Sequence, residues 1–206
     1  MMRQLLPYTI RPMEPGDVQT VVAIDRLSFP TPWPASSYMY ELKHRSRSFY
    51  YVLLRPTTDE VTPADQGWRR WLYGMIGLAG SSRVIGYVGL RERGQPTEAH
   101  ISTIAIHPDW RGNGLGELML LVALEQALEL RFSTVSLEVR ASNQVAHRLY
   151  RKYGFRFRSV HQAYYRDGED AWLMAVEVDR DAYQSRLIRL RQALEARLGR
   201  QQPEPV

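Results

Sequence analysis

Hydrophobic and polar positions along the chain follow the two-residue period of strands in some segments and the helical period in others. Apolar or alternating runs rich in β-branched and aromatic residues predict five strands, at residues 8–13, 48–54, 83–90, 98–106 and 133–140. Apolar positions at helical spacing predict helices at residues 18–28, 36–44, 114–130 and 144–153. Two more apolar runs, 155–160 and 171–176, flank an Asp-Gly pair and predict a hairpin. Strands and helices thus mix along the chain, as in α/β and α+β proteins.

Capping residues mark the ends of several predicted helices. Asp17 is a candidate N-cap of the first helix, and either Ser36 or Ser37 is expected to cap the second. Asn143 is expected to cap the helix at 144–153.

Three prolines, at positions 30, 32 and 34, lie between the first two predicted helices. Such a stretch is rigid and extended, so it holds the neighbouring Phe29 and Trp33 in place. These two aromatic side chains either pack in the core or line a binding groove.

Two segments lie outside this regular pattern. Residues 55–67 are polar and rich in proline, which predicts a loop, whereas 68–80 is aromatic and glycine-containing without helical periodicity. We interpret 68–80 as the extension of a hairpin, with contact to a partner or a lipid surface as alternatives. From residue 180 onward, apolar residues at helical spacing among arginines predict an amphipathic helix over 180–199, followed by a tail at 200–206. This helix is expected to dock on the domain, with contact to a ribosome or a membrane as the alternative.

A glycine-rich loop connects the strand at 98–106 to the helix at 114–130. Its glycines stand at positions 112, 114 and 116. Glycine lets a ligand approach the backbone closely, so such a loop at a helix start can aim several N–H groups at one anion. The loop lacks the Gly-Lys-Ser/Thr of nucleotide triphosphatases, and its Gly-x-Gly-x-Gly spacing differs from the dinucleotide fingerprint. An anion cradle of another kind and simple tight packing of strand against helix both remain.

Composition places the chain among ordinary globular proteins. Its 206 residues are 44% hydrophobic and 24% charged, which suits one domain with an appendage. The net charge of +5 favours an anionic partner. The absence of cysteine excludes disulfides, thiolate metal sites and a cysteine nucleophile, and the five histidines show no zinc-binding pair, so no metal is expected. No apolar run is long enough to span a membrane and the first ten residues are too short for a signal peptide, which predicts a cytoplasmic protein.

Several motifs in the second half of the chain occur together in one known family. They are Ile-Ala-Ile at 104–106, Arg-x-x-Gly-x-Gly at 111–116, Leu-Glu-Val-Arg-Ala-Ser-Asn at 137–143, Leu-Tyr at 149–150, Tyr-Gly-Phe at 153–155 and Tyr-Tyr-Arg-Asp-Gly-Glu-Asp-Ala at 164–171. In this order they resemble the GNAT N-acetyltransferases, and among these the ribosomal-protein-alanine N-acetyltransferases of the RimI family. The match covers about residues 8–178, with 55–82 as an insertion. It implies a GNAT acyl-CoA N-acyltransferase fold, in which a mixed, largely antiparallel sheet is splayed between the fourth and fifth predicted strands and flanked by helices.

The resemblance implies a binding site for acetyl-CoA as cosubstrate. Backbone groups of Ile104, Ala105 and Ile106 would bind the pantetheine arm and the acetyl carbonyl, and Asn143 would hydrogen-bond the arm. The pyrophosphate would be received by the loop and first helical turn, formed by Arg111, Gly112, Asn113, Gly114, Leu115, Gly116 and Glu117.

The resemblance also implies catalytic roles. Glu138 would act as general base for the acceptor amine, and Tyr150 would protonate the leaving thiolate. The acceptor would be held by Phe29, Trp33, Tyr164 and Tyr165. Judged from the residues alone, Glu138 could instead pair with an arginine on the surface, Arg140 or Arg148, and Tyr150 could pack in the core.

The chemistry of amines favours an N-terminal acceptor. An α-amino group has a pKa of about 7.7–8.0 against about 10.4 for lysine, so near neutral pH far more of it is already deprotonated. Glutamate with an ordinary pKa of about 4.3 is a weak base for this task. Either burial raises the pKa of Glu138, or it acts through a water molecule. A tyrosine, with a pKa of about 10, is a suitable donor to a thiolate.

The first hypothesis is therefore a protein Nα-acetyltransferase that acts on the N-terminal alanine of small-subunit ribosomal protein eighteen. Two alternatives are a GNAT enzyme for lysine side chains or small amines, and a non-catalytic CoA-binding module that docks on the ribosome. We expect a monomer whose partner is a protein N-terminus, with no direct recognition of nucleic acid.

Overall fold

The computed structural model describes residues 3–5, 8–56, 83–178 and 181–200. The strands in these residues are β1 Arg3–Leu5, β2 Tyr8–Pro12, β3 Ser48–Leu54, β4 Val84–Arg93, β5 Gln95–Ile106, β6 Thr134–Arg140, β7 Arg156–His161 and β8 Ala171–Glu177. The α-helices are α1 Val18–Ser28, α2 Ala35–Lys43, α3 Leu115–Glu129, α4 Gln144–Lys152 and α5 Asp181–Arg200. The eight strands form one sheet in the order β1-β2-β3-β4-β5-β6-β8-β7.

The sheet opens into a gap between β5 and β6. These two strands pair in parallel, whereas the other neighbouring pairs are antiparallel. The parallel ladder ends where Ile101 lies opposite Leu137. Beyond it, β5 continues to Ile106 and β6 to Arg140 without pairing with each other. The predicted splay between the fourth and fifth strands is therefore confirmed, at β5 and β6.

A β-bulge explains where the parallel ladder ends. On β4, Leu90 pairs with Ile101 and Gly89 pairs with Thr103, which leaves Ser102 as the extra residue. A bulge bends its strand and increases the local twist, so β5 turns away from β6 directly after Ile101.

Helices cover both faces of the sheet. On one face, α3 contributes a continuous buried segment, since residues 118–124 are all 0% exposed. A helix that is apolar around its whole circumference needs cover on its outer side as well. α5 supplies part of this cover through Tyr183, Leu187, Leu194 and Leu198, which are buried in the same core. On the other face, α1 and α2 pack around buried tyrosines of the sheet.

The predicted elements match the observed ones closely, with two corrections. β1 was not predicted. The second helix begins at Ala35 with Pro34 in the N-cap position, so the expected cap at Ser36 or Ser37 is wrong. Proline fits there because its φ already suits a helix start and it has no N–H to satisfy. The predicted hairpin at 68–80 and most of the loop at 55–67 lie outside the described residues, as does the tail at 200–206 beyond its first residue.

Candidate functional site

The gap exposes one backbone edge of β5. Residues Thr103 to Ile106 pair with β4 on one side and with nothing in β6 on the other. Ile104 and Ala105, predicted to bind a ligand through the backbone, therefore lie on an open strand edge. Ile106 differs, because its carbonyl oxygen accepts a hydrogen bond from Nε of Arg111 at 2.9 Å. An extended ligand can pair with such an edge as another strand would.

The glycine-rich loop begins at the end of this edge and leads into α3. Gly112 and Gly114 have φ angles of +82° and +79°, in the region that favours glycine. Gly114 is the N-cap of α3, and Leu115, Gly116 and Glu117 form its first turn. A Cβ at Gly112 would meet nothing within 4 Å, so the loop is open there. The first N–H groups of a helix have no partner inside it, and such donors suit an anion.

Polar side chains of the loop serve to hold its shape. Nη2 of Arg111 donates to Oγ of Ser28 at 2.8 Å, which ties the loop to α1. Nδ2 of Asn113 lies 3.3 Å from the carbonyl oxygens of Trp110 and Arg111. An anion at this loop would therefore be received mainly by backbone N–H groups.

Glu138 lies on β6 at the first position beyond the end of the parallel ladder. Its side chain is only 6% exposed, so the expectation of a surface pair with Arg140 or Arg148 is wrong. Instead Oε2 accepts from Nε2 of His100 at 2.8 Å, and Oε1 accepts from Nη1 of Arg93 at 3.0 Å. Nη1 of Arg93 also lies 3.0 Å from Nδ1 of His100, which closes a compact cluster of these three residues.

This cluster sets the ionisation of Glu138. Burial would raise the pKa of the carboxyl group, but hydrogen bonds and charges from His100 and Arg93 outweigh burial and lower the pKa to about 2. Of the two possibilities stated for this residue, a pKa raised by burial is therefore wrong. Glu138 is a fixed negative charge at neutral pH.

Tyr150 projects from α4 into the main core beside Phe155, with 5.7 Å between ring centroids. Burial raises the pKa of its hydroxyl, so Tyr150 stays protonated at neutral pH. Among the described residues no hydrogen-bond partner reaches this hydroxyl. The Tyr150 hydroxyl is thus available to a ligand.

The connection between β7 and β8 brings two tyrosines to Glu138. Burial, followed by the charge of Glu138, raises the pKa of Tyr164. Tyr165 interacts electrostatically with both Glu138 and Tyr150, and burial is the main cause that raises its pKa to about 12. Geometry links Tyr164 to Glu138 through His161, whose Nδ1 lies 3.9 Å from Oε1 of Glu138 and whose ring centroid lies 5.7 Å from that of Tyr164.

Ion pairs hold this connection in place. Nη1 of Arg140 lies 2.9 Å from Oδ2 of Asp167 and 2.6 Å from Oε2 of Glu169, and its guanidinium covers the ring of Tyr165 at 3.9 Å. Oε1 of Glu169 accepts from the backbone N–H and the hydroxyl of Ser142 at 3.0 and 2.6 Å. The tyrosine-bearing connection is thereby fixed to the end of β6.

Asn143 follows directly and acts as the predicted N-cap of α4. Its Oδ1 accepts from the backbone N–H of Ala146 at 3.1 Å. The side chain is exposed, so its amide group remains available to a ligand.

A buried carboxylate fixes the connection between α1 and α2. Oδ2 of Asp25 accepts from the backbone N–H of Trp33 at 2.6 Å, and Oδ1 accepts from the hydroxyl of Tyr87. Oγ1 of Thr103, on the open part of β5, lies 3.4 Å from the same tyrosine oxygen. Phe29 and Trp33 are half-buried and pack against the second core, as the core-packing alternative expects. Trp33 also lines a surface cavity of about 270 Å³ with Ser36, Ser37, Tyr40 and Glu41.

Arg93, His100, Asp25 and Tyr87 were not predicted as site residues. Their roles depend on contacts across strands, which spacing along the chain does not reveal. Among the described residues no group of three or more histidine or acidic side chains is arranged to hold a metal ion. Within the same residues, no helix has the length and apolarity needed to cross a membrane.

Comparison with known proteins supports the family resemblance noted in the sequence. A model of the acetyltransferase (GNAT) family matches residues 19–155. A Bacillus subtilis protein, provisionally named as the alanine N-acetyltransferase of ribosomal protein bS18, is 30% identical over 82% of this chain and 95% of its own length. An N-alpha-acetyltransferase of Sulfurisphaera tokodaii is 31% identical over 82% of this chain and 92% of its own. The crystal structure of Ard1 from Thermoplasma volcanium superposes with a TM-score of 0.66 at 25% identity, covering 84% of this chain and 99% of that one.

Proposed function

The chain belongs to the GNAT acetyltransferase family, and we propose on that basis that it transfers the acetyl group of acetyl-CoA to the N-terminal amine of a protein. The preferred acceptor in this proposal is the N-terminal alanine of small-subunit ribosomal protein eighteen, since a relative is named for that substrate. The observation that carries the proposal is the gap between β5 and β6, with Glu138 at its start and the glycine-rich loop at its far end.

The residues present fit acetyl-CoA. The open edge at Ile104 and Ala105 suits the amide groups of a pantetheine arm, which can pair with a strand edge. The left-handed Gly112 and Gly114 and the free N–H groups of α3 suit a pyrophosphate. Acetyl-CoA supplies the activated acetyl group, and the chain supplies orientation and proton handling.

Glu138 then acts as a fixed charge that orients the acceptor amine. A carboxylate with a pKa of about 2 is a poor acceptor for a proton from an amine with a pKa of about 7.7–8.0, because the difference costs roughly 8 kcal/mol. The amine avoids this cost by losing its proton to the solvent before it binds, since its pKa lies close to neutral pH, and Glu138 then holds the neutral amine directly or through a water molecule. The same argument disfavours lysine, whose pKa of about 10.4 leaves only about one amine in a thousand deprotonated near neutral pH.

Tyr150 serves as the acid in this proposal. Its raised pKa keeps the hydroxyl protonated, and a thiolate formed in the gap would be the base that accepts this proton. Tyr164 and Tyr165, beside Glu138, would contact the residues that follow the acceptor amine. Phe29 and Trp33, held by the Asp25 contact, would form the opposite wall.

The experiment measures release of free CoA from acetyl-CoA with two peptides. One has a free N-terminal alanine, and the other has a blocked N-terminus and an internal lysine. The proposal predicts turnover with the free N-terminus only. Turnover on the blocked peptide would favour a lysine acetyltransferase, and tight CoA binding without turnover on either would favour a binding module.

A further inference from the structure

The C-terminal helix brings a cation to the start of α3. A Cβ at Gly114 would lie 2.7 Å from Nη2 of Arg197, so the guanidinium stands directly against the N-cap. Free N–H groups at this helix start are the expected receivers of an anion. Arg197 belongs to α5, which lies beyond residues 19–155 that the family model matches.

The guanidinium of Arg197 is held by Glu117. Its Nη2 donates to Oε2 of Glu117 at 2.7 Å. The other carboxylate oxygen, Oε1, accepts from Nζ of Lys152 at 2.5 Å and from the hydroxyl of Tyr153 at 3.0 Å. Burial would raise the pKa of Glu117, but the hydrogen bonds from Lys152 and Arg197 outweigh burial and lower it. The carboxylate is therefore ionised, and both cations are fixed beside it.

The charges at this helix start do not cancel. One carboxylate, Glu117, is matched by two cations, Lys152 and Arg197, which leaves a net positive charge. The Glu117 side chain is 8% exposed, whereas 43% of the Arg197 side chain is exposed. A guanidinium carries five N–H donors, and the bond to Glu117 uses one of them. The remaining donors of Arg197 are in a planar fork that matches phosphate oxygens.

We propose that Arg197 binds the pyrophosphate of the CoA cosubstrate, which makes α5 part of that binding site. The inference rests on the proposed function, since it assumes that the loop receives CoA. In it, backbone N–H groups of α3 and the guanidinium of α5 hold the same anion. Gly114 is then required for its left-handed φ and also for the space that the guanidinium occupies.

The test is the dissociation constant of CoA, measured by isothermal titration calorimetry for the full chain and for variants. Arg197→Ala is expected to weaken CoA binding about tenfold, the range of a charge-assisted hydrogen bond. Arg197→Lys retains the charge without the fork and is expected to give a smaller loss. Arg189→Ala removes an exposed arginine two turns earlier on α5 and is expected to change nothing. Thermal unfolding of each variant verifies that it is folded.

Shortened ligands locate the contact. Dephospho-CoA retains the pyrophosphate, so the ratio of the dissociation constants of Arg197→Ala and wild type should be the same as with CoA. Acetyl-pantetheine lacks the pyrophosphate and should bind both proteins equally. Equal CoA affinity of wild type and Arg197→Ala would overturn the inference and leave Arg197 as a docking contact of α5. The inference would also be overturned if Arg197→Ala weakened the binding of acetyl-pantetheine, or if it left the binding of dephospho-CoA unchanged. Absence of CoA binding by the wild-type chain would instead overturn the proposed function.

Discussion

Glu138 and His100 join β6 to β5 across the point where their pairing ends, with 2.8 Å between Oε2 and Nε2. Both side chains are buried, at 6% and 5% exposure. The contact therefore joins β5 to β6 where the gap begins. In the proposed function, it places a negative charge where the acetyl group and the acceptor amine would meet.

The first prediction concerns the charge of Glu138. Glu138→Gln is expected to lower kcat/KM for acetyl transfer by about a hundredfold, the loss expected when a reacting amine is no longer held in its attack geometry. Its CoA affinity should stay near that of the wild type, because the glycine-rich loop is untouched. Steady-state CoA release measures the first quantity and calorimetry the second. Glu177→Gln, which removes an exposed carboxylate on β8, is the matched control. Full activity of Glu138→Gln would contradict the role of the charge.

The same residue predicts how stability depends on pH. The pKa of Glu138 is lowered from 4.5 to about 2 on folding, so its ionised form stabilises the folded chain. This contribution, about 3 kcal/mol by linkage, is complete above pH 4.5 and is lost as the pH falls through 2. The difference in unfolding free energy between wild type and Glu138→Gln should therefore shrink between pH 5 and pH 2.5. Urea unfolding at several pH values measures it, and a constant difference would count against the ion-pair cluster.

Loss of the Tyr150 hydroxyl is expected to affect turnover rather than stability. Its hydroxyl has no partner among the described residues, so Tyr150→Phe should reduce kcat by about a hundredfold with little change in thermal stability. Tyr183→Phe gives the opposite result under the same account. The Tyr183 hydroxyl donates to the carbonyl oxygen of Tyr153 at 3.0 Å, so its loss should cost about 1 kcal/mol of stability and leave turnover intact. Equal kcat for Tyr150→Phe and wild type would remove Tyr150 from the mechanism.

A substitution at Asp25 is expected to affect binding of the acceptor peptide but not binding of acetyl-CoA. Asp25→Asn replaces one of two acceptor oxygens by an amide donor, which disrupts either the bond to the Trp33 backbone or that to Tyr87. The aromatic connection after α1 should shift, raising KM for the peptide severalfold while KM for acetyl-CoA stays unchanged. Kinetics with each substrate varied in turn separate the two constants. The conservative control is Asp109→Asn, an exposed residue near the glycine-rich loop. A parallel rise of both KM values in Asp25→Asn would argue for general destabilisation.

Local signals in the sequence predicted the parts of the site that lie on one continuous segment. Gly112 and Gly114, the N-cap Asn143 and the strand that carries Glu138 were all predicted in this way. The largely antiparallel order and the splay followed from the family resemblance alone.

Contacts that depend on register between distant segments could not be predicted. His100 reaches Glu138 only because β5 and β6 pair in parallel and in this register, and Arg93 arrives from the end of β4. For the same reason the lowered pKa of Glu138 was missed, since spacing along the chain identifies a carboxylate but not its neighbours. The contact of Arg197 with Gly114 likewise depends on how α5 docks, about 80 residues after the loop.

The most direct measurement locates the acetyl group on a single peptide that has both a free N-terminal alanine and an internal lysine. After incubation with acetyl-CoA, fragmentation by mass spectrometry assigns the modified amine. Acetylation of the α-amine alone is expected, strongly reduced in Glu138→Gln and Tyr150→Phe. Acetyl groups on the lysine, or an unmodified peptide despite bound CoA, would contradict it.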